Sequence, residues 1–386
     1  MFIIPIVNIS YNIDFAMSSK NGNIFLLVLL ILAVGAGFSI AFINRTDEAG
    51  TLVTPEILRQ IVSSPTPEPT PNIPTPPNRY QLEGASQVFQ TFNNCGPASL
   101  SMALSLYNIS ASQSELGNEL RPYQNAAGDN DDKSVTLEEL ADKAKDYGLL
   151  TYHRPNGDMD LIEKFVSNDM PVITRTLLHT DDDIGHYRVI TGYNKNQQYV
   201  VQNDSLQGQN LQYSYTEYLS LWKPYGYEYL VLVPKEKQEI AEAIIGEDVN
   251  ELTAWKNNVI RLQEEIANNP NDIQLKFSLS VAYYNAGEYQ KSIDQFEEIE
   301  SRLSFRTLWY QIEPLLAYQK LERYSELLPR IEQVLNNHNR AFSELYQTRG
   351  EIYLDQGRVE DAKREFETAL VYNHNFQPAK VALALL

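Results

Sequence analysis

The stretch VFQTFNNCGPASLSMALSLY, residues 88–107, decides how the rest of the chain is read. It sets a cysteine directly ahead of an apolar helix signal running from Gly96 to Tyr107, with Leu100, Ala103, Leu104 and Tyr107 on one face. Gly96 permits a tight turn into that helix, and Pro97 suits its first turn, where a missing N–H costs nothing. A thiol placed there faces the free amide N–H groups and the positive dipole end of the helix, which favour thiolate over thiol. The same amides can serve the oxyanion of an acyl transfer, and Gln90, a little upstream, offers a side-chain amide as a second donor. Cys95 is the only cysteine among 386 residues, so the chain forms no intramolecular disulfide and this thiol is either core filler or a reagent.

A cysteine nucleophile needs a general base and a group that orients the base, both supplied from elsewhere in the chain. Four β-branched and aromatic runs read as strands: Met170–Leu178, His186–Tyr193, Gln198–Asp204 and Tyr227–Pro234. His186 begins the second and Asp204 ends the third, so two neighbouring antiparallel strands place imidazole beside carboxylate. His153, before Arg-Pro, and His179, in the polar run HTDDD, are competing bases at positions that read as loop. Asn203 competes with Asp204, since either side chain accepts from an imidazole N–H, and strand alternation decides between them. Helix signals come first, including a capping box at Thr136 and Glu139, and strands come after, which makes an α+β domain with an antiparallel sheet.

Gln90, the run Asn94-Cys95-Gly96-Pro97-Ala98-Ser99, the Gly185-His186-Tyr187 strand start and Asp204 together resemble the bacteriocin-processing, double-glycine type of cysteine peptidase. That family lies within the papain-like superfamily, and the resemblance spans roughly Tyr80 to Lys235. It implies Cys95 as nucleophile, His186 as base, Asp204 as the residue that holds the ring, and Gln90 at the oxyanion. Two departures stand out. The family's Asp is often followed by Pro and here by Ser205, and the familiar transporter-linked members work in the cytosol beside an ATPase that these residues do not include. The resemblance therefore carries the fold and the triad, and not the leader-peptide substrate.

Outward from this domain, residues 24–43 read IFLLVLLILAVGAGFSIAFI, about the 20 apolar residues a helix needs to cross a bilayer. They predict a transmembrane anchor behind an N-terminal tail (1–23); a cleaved signal peptide with Ser39-Ile40-Ala41 at its end is the alternative, and Met17 is an alternative start. The run SSPTPEPTPNIPTPP, residues 63–77, lies in a linker (44–79) and stays extended as a polyproline stalk, which favours a location outside the cytoplasmic membrane for the domains beyond it. After the catalytic domain (80–235) come a linker and capping helix (236–272, with the helix at Ala254–Asn268) and then residues 273–386. There YYNAGEYQKSIDQFEEI aligns with YLDQGRVEDAKREFETA at a shift of 70 residues, two units of 35, with a degenerate copy between them. Gly350, Tyr353, Gly357, Ala362, Phe366 and Ala369 resemble the tetratricopeptide pattern, which implies an all-α stack of three helix–turn–helix units suited to binding a protein partner.

A formal net charge of −19 argues against nucleic acid as a partner. The acidic clusters at 128–132 and 181–183 lack the spacing of a calcium loop and read as solvated loop. No cofactor or metal is called for. The sequence thus predicts a membrane-anchored, extracytoplasmic cysteine peptidase with helical repeats, whose partners are a peptide or protein substrate, a protein on the repeats, and the membrane. A silent peptide-binding scaffold, and a transpeptidase or amidase using the same residues, are the alternatives.

Overall fold

The computed structural model describes residues 73–123, 133–337 and 339–386; the expected membrane anchor, most of the expected stalk and the 128–132 cluster lie outside them. The described residues belong to one compact unit. Its sheet comprises β1 (Arg79–Gln81), β2 (Leu150–Arg154), β3 (Val172–Leu177), β4 (Gly185–Asn194), β5 (Tyr199–Asp204), β6 (Gly208–Ser214) and β7 (Tyr229–Val233). The order is β2-β7-β3-β4-β5-β6, with β1 also on β4, and every pairing is antiparallel. All four strands read from the sequence are present. The three that were not are short or polar: β1 has three residues, β2 carries His153, and β6 exposes most of GQNLQYS at the sheet edge.

Helices cover both faces of this sheet. On one lie α1 (Cys95–Ser105), α2 (Gln113–Leu120) and α3 (Leu137–Lys145), whose Leu100, Leu104, Leu116 and Leu140 meet Ile173, Val189 and Leu230. On the other lie α4 (Met159–Ser167), α5 (Tyr215–Trp222) and α6 (Gln238–Ile245), where Phe165, Trp222 and Ile244 meet Val172, Ile190 and Val231. The alternation Val172/Ile173 and Leu230/Val231 between the two faces is the pleat at work. The capping box at Thr136 and Glu139 forms as read, and a second closes α2 at Ser112 and Glu115. Helix α1 corrects the one-face expectation: every residue from Cys95 to Leu104 is buried, as for a helix enclosed by protein on all sides.

The remaining chain is helical. After α7 (Glu251–Asn268) come three hairpins: α8 (Ile273–Asn285) with α9 (Tyr289–Ile299), α11 (Glu313–Lys320) with α12 (Tyr324–Asn336), and α13 (Ser343–Asp355) with α14 (Val359–Tyr372). A short α10 (Thr307–Tyr310) precedes the second hairpin and α15 (Gln377–Leu385) closes the stack. The 35-residue period is visible in the backbone itself, since the hairpin turns fall at 287, 322 and 357, all with left-handed φ (79°, 56° and 73°). Gly takes the first and last at no steric cost and Glu322 the middle one. Phe296 and Phe366 are fully buried between hairpin helices.

The middle hairpin departs from the period. Its first helix ought to start near residue 308, but the backbone is extended at Gln311 and the helix resumes only at Glu313, with Pro314 in its first turn. A helix continuing through from Thr307 would need an N–H at 314 to bond the Tyr310 carbonyl; Pro314 has none and its ring crowds that carbonyl, so the helix breaks there and restarts with the proline in its first turn. The arm this frees, residues 300–312, reaches the sheet domain. Arg175 Nη1 donates to the Tyr310 carbonyl at 3.1 Å, and Gln311 Nε2 donates to Glu228 Oε1 at 2.8 Å. Elsewhere Asn258 donates to the Gly226 carbonyl at 2.9 Å, Arg261 lies 3.5 Å over the Tyr227 ring, and Lys133 is ion-paired with Glu344.

Candidate active site

Cys95 is the first residue of α1, and the turn that delivers it is made by Asn93, at φ 54°, rather than by Gly96. A Cβ on Gly96 would make ordinary contact, 3.5 Å from Tyr187 and Val135, so the glycine is not a steric requirement of the turn. Asn94 is held at both ends of its side chain: Nδ2 donates to Thr91 Oγ1 at 2.7 Å and Oδ1 accepts from Arg121 Nη1 at 2.8 Å.

His186 stands at the start of β4 and Asp204 at the end of β5, and the structure joins them: His186 Nε2 lies 3.0 Å from Asp204 Oδ1. That leaves the other ring nitrogen, Nδ1, for the Cys95 thiol, which shares the cleft with the ring and interacts with it. Strand register settles the choice between Asn203 and Asp204. Asp204 sits opposite Arg188, on the same face as His186, and Arg188 Nε approaches its Oδ2 at 3.3 Å. Asn203, opposite Val189, points the other way and accepts from the Asn210 amide at 3.0 Å. Asp204 also accepts from the Leu206 and Gln207 amides at 2.7 and 3.0 Å.

These contacts set the charge state. Burial alone raises the Cys95 thiol, but the His186 hydrogen bond, the His186 and Arg121 charges and the Tyr187 backbone outweigh it, leaving the thiol below its ordinary value. Burial lowers His186, and the hydrogen bonds to Asp204 and Cys95 more than reverse this, so the imidazole is raised. Burial raises Asp204, but the His186 hydrogen bond and the fixed donors bring it down to about 2. The arrangement favours a thiolate–imidazolium pair on a fixed carboxylate, the activated form of such a nucleophile.

Gln90 reaches the same cleft, and its carbonyl oxygen accepts from Ser205 Oγ at 2.7 Å while its backbone N–H donates to the Ser205 carbonyl at 2.9 Å. The Ser205 hydroxyl thus occupies the amide oxygen of Gln90 and leaves the NH₂ end for the cleft. A proline at 205 has no hydroxyl to do this. Ser205 and Arg121 were missed by sequence reasoning. Ser205 was visible only as a departure from a family pattern, and Arg121 carried no local signal.

The competing histidines are elsewhere. His153 is not in a loop but on β2, where its Nε2 lies 2.9 Å from Glu228 Oε2, and His179 is exposed in a bend after β3. Asp183, read as part of a solvated loop, binds Arg306 at 2.8 Å. Among the described residues there is no group of His, Cys, Asp and Glu that could hold a metal ion, and no helix long and apolar enough to cross a membrane.

Cys95 and His186 open into a cleft of about 300 Å³ whose near wall includes Gln90, Phe92 and Leu206. Its far wall is Arg306 and Tyr310, from the arm between the first two repeat hairpins. The helical region therefore does not merely trail the sheet domain; it borders the cleft of the thiol.

Residues 76–230 match the Peptidase_C39 like family. The chain is similar to that family over nearly all of its sheet-bearing region. Solved structures similar to the chain include a putative C39-like peptidase from Bacillus anthracis, at 16% identity and TM-score 0.36, covering 41% of this chain and 99% of that one. A second is the peptidase domain of Streptococcus ComA, a bi-functional ABC transporter involved in a quorum-sensing pathway, at 22% identity and TM-score 0.32, covering 40% and 100%. A third is a double-glycine motif protease from an AMS/PCAT transporter in complex with the leader peptide, at 18% identity and TM-score 0.30, covering 41% and 99%. No curated protein matches the chain.

Proposed function

We propose that this C39-like domain is an active cysteine peptidase, with Cys95 as nucleophile, His186 as base and then acid, and Asp204 holding the imidazole. The observation that carries the reading is that Cys95 and His186 line one cleft while His186 Nε2 lies 3.0 Å from Asp204 Oδ1, the imidazole holding the thiol below its ordinary value. Cys95 Sγ attacks the scissile carbonyl, the imidazolium gives its proton to the departing amine, and the neutral imidazole then takes a proton from the water that cleaves the thioester. The α1 N-terminal amides and the Gln90 NH₂ supply donors for the oxyanion of both tetrahedral intermediates. The apolar run at 24–43 and the proline-rich stalk support a single-pass anchor with the catalytic and repeat regions outside the cytoplasm.

Iodoacetamide labelling of Cys95 across pH tests the catalytic part. A depressed thiol pKa keeps the thiolate present below the ordinary thiol range, and labelling slows only as pH falls through the depressed value. In His186→Ala the profile should move up toward an ordinary cysteine. An ordinary profile in the wild type, unchanged by the substitution, removes the peptidase reading and leaves a repeat-bearing scaffold. Resistance of the full chain to alkaline membrane extraction, together with protease accessibility on intact cells, tests the anchor and its orientation.

A further inference from the structure

We propose that the cavity between the peptidase domain and the repeats is a substrate subsite that receives one large apolar side chain of the peptide acylating Cys95. The proposal rests on the peptidase reading above and adds a specificity to it. The cavity measures about 260 Å³ and is walled by Leu177 and Tyr225 from the sheet domain and by Ile273, Phe277 and Leu303 from the helical region. It abuts the catalytic cleft: Tyr310 lines both, and the Asp183–Arg306 ion pair has its acid in one and its base in the other.

Gly185, immediately before His186, shows how close the two spaces come. A Cβ at this glycine would lie 2.5 Å from Tyr225 Oη and 3.1 Å from the Tyr310 ring, so only a residue without one lets both tyrosines close over the strand start. The two rings stand edge to face, with centroids 6.3 Å apart, as a low ridge between base and cavity. An extended peptide crossing that ridge advances roughly 3.3 Å per residue and turns alternate side chains to the same side. A residue near the scissile bond can thus drop its side chain behind Tyr310.

The chemistry of the walls selects that side chain. They are mainly aliphatic and aromatic, with Gln274, Ser304, Thr307, Gln311 and the charges of Asp183 and Arg302 also among the lining. An apolar side chain gains burial there, whereas a charged one gives up hydration for no buried counter-charge of its own. The cleft lip has the same character, since Phe92 and Leu206 are 51% and 49% exposed beside the thiol. Their place at the mouth lets them meet the apolar parts of a peptide as it enters.

Peptidyl epoxides carrying Phe or Ala at each position before the warhead, used on the full chain, test this, with every rate divided by that of iodoacetamide on the same protein. At one position the Phe reagent should label Cys95 about tenfold or more faster than the Ala reagent. Two half-buried lining positions supply independent variants: Thr307→Trp fills the cavity and Leu303→Asp charges it. Each should cut the Phe-to-Ala ratio to within about threefold. A ratio retained in both variants overturns the subsite. So does a wild-type ratio near one with His186-dependent iodoacetamide labelling, which leaves the peptidase reading standing. An ordinary, His186-independent iodoacetamide profile removes both.

Discussion

The two walls of the cleft were built in different ways. The near wall, from Gln90 to Cys95 with His186, is built around motif residues: Cys95 opens α1, His186 stands at the start of β4, and Gln90 lies on the loop that leads into α1. The far wall, Arg306 and Tyr310, exists because a regular pattern fails: a repeat helix is interrupted ahead of Pro314 and the released arm lands on the sheet domain. A degenerate repeat can thus be where a helical array does something other than stack.

The contrast can be attacked at the joint that holds the arm. Glu228 and Arg175 are each 3% exposed, and Glu228 accepts from Arg175, His153 and Gln311 together. Glu228→Ala strands a buried guanidinium and should cost about 3–5 kcal/mol in chemical denaturation, with loss of the far wall. A cost under about 1 kcal/mol would mean that the arm does not depend on this cluster. Next in size is Gly350→Val. A Cβ there collides with the Phe366 ring, so about 1–3 kcal/mol of overpacking should lower the thermal midpoint. If Cys95 labelling falls in parallel as temperature rises, the two regions melt as one body.

Two substitutions sharpen the near wall. Asp204→Asn removes the charge that holds His186 raised, so the thiolate loses its partner as pH rises through a lower imidazole pKa. Labelling at neutral pH should fall on the order of tenfold, one pKa unit's worth. Asn203→Ala, on the opposite face, should leave the profile in place. Equal effects would undo the assignment by strand face. The smallest change is expected from Ser205→Ala, which frees the Gln90 amide to turn. Losing one hydrogen bond of about 0.5–1.5 kcal/mol predicts a slowdown of roughly twofold to tenfold in turnover of an acyl substrate, with less effect on iodoacetamide, which forms no oxyanion.

Much of the fold was legible in the residues alone. Apolar and β-branched runs marked the four central strands, the Thr136 capping box marked α3, and the 35-residue period marked turns that carry left-handed backbone at 287, 322 and 357. The strands that escaped are those where the sheet makes no strong demand on side chains: β6 is a polar edge, and β2 holds a histidine because Glu228 is waiting for it. Likewise α1 read as amphipathic but is enclosed all round, because its small Ala and Ser positions are as buried as its leucines.

By itself, the sequence determined the order of elements, the candidate nucleophile, its base and two candidate acceptors, because periodicity and helix-start chemistry are local properties written within a few neighbouring residues. Tertiary structure decided the rest. Strand register chose Asp204 over Asn203, Ser205 was set against Gln90 across 115 positions of chain, Arg121 was brought beside Asn94, and the arm before Pro314 was laid along the cleft. Each of those depends on where two distant segments come to rest, and that is fixed by the packing of whole faces rather than by any residue's own preference.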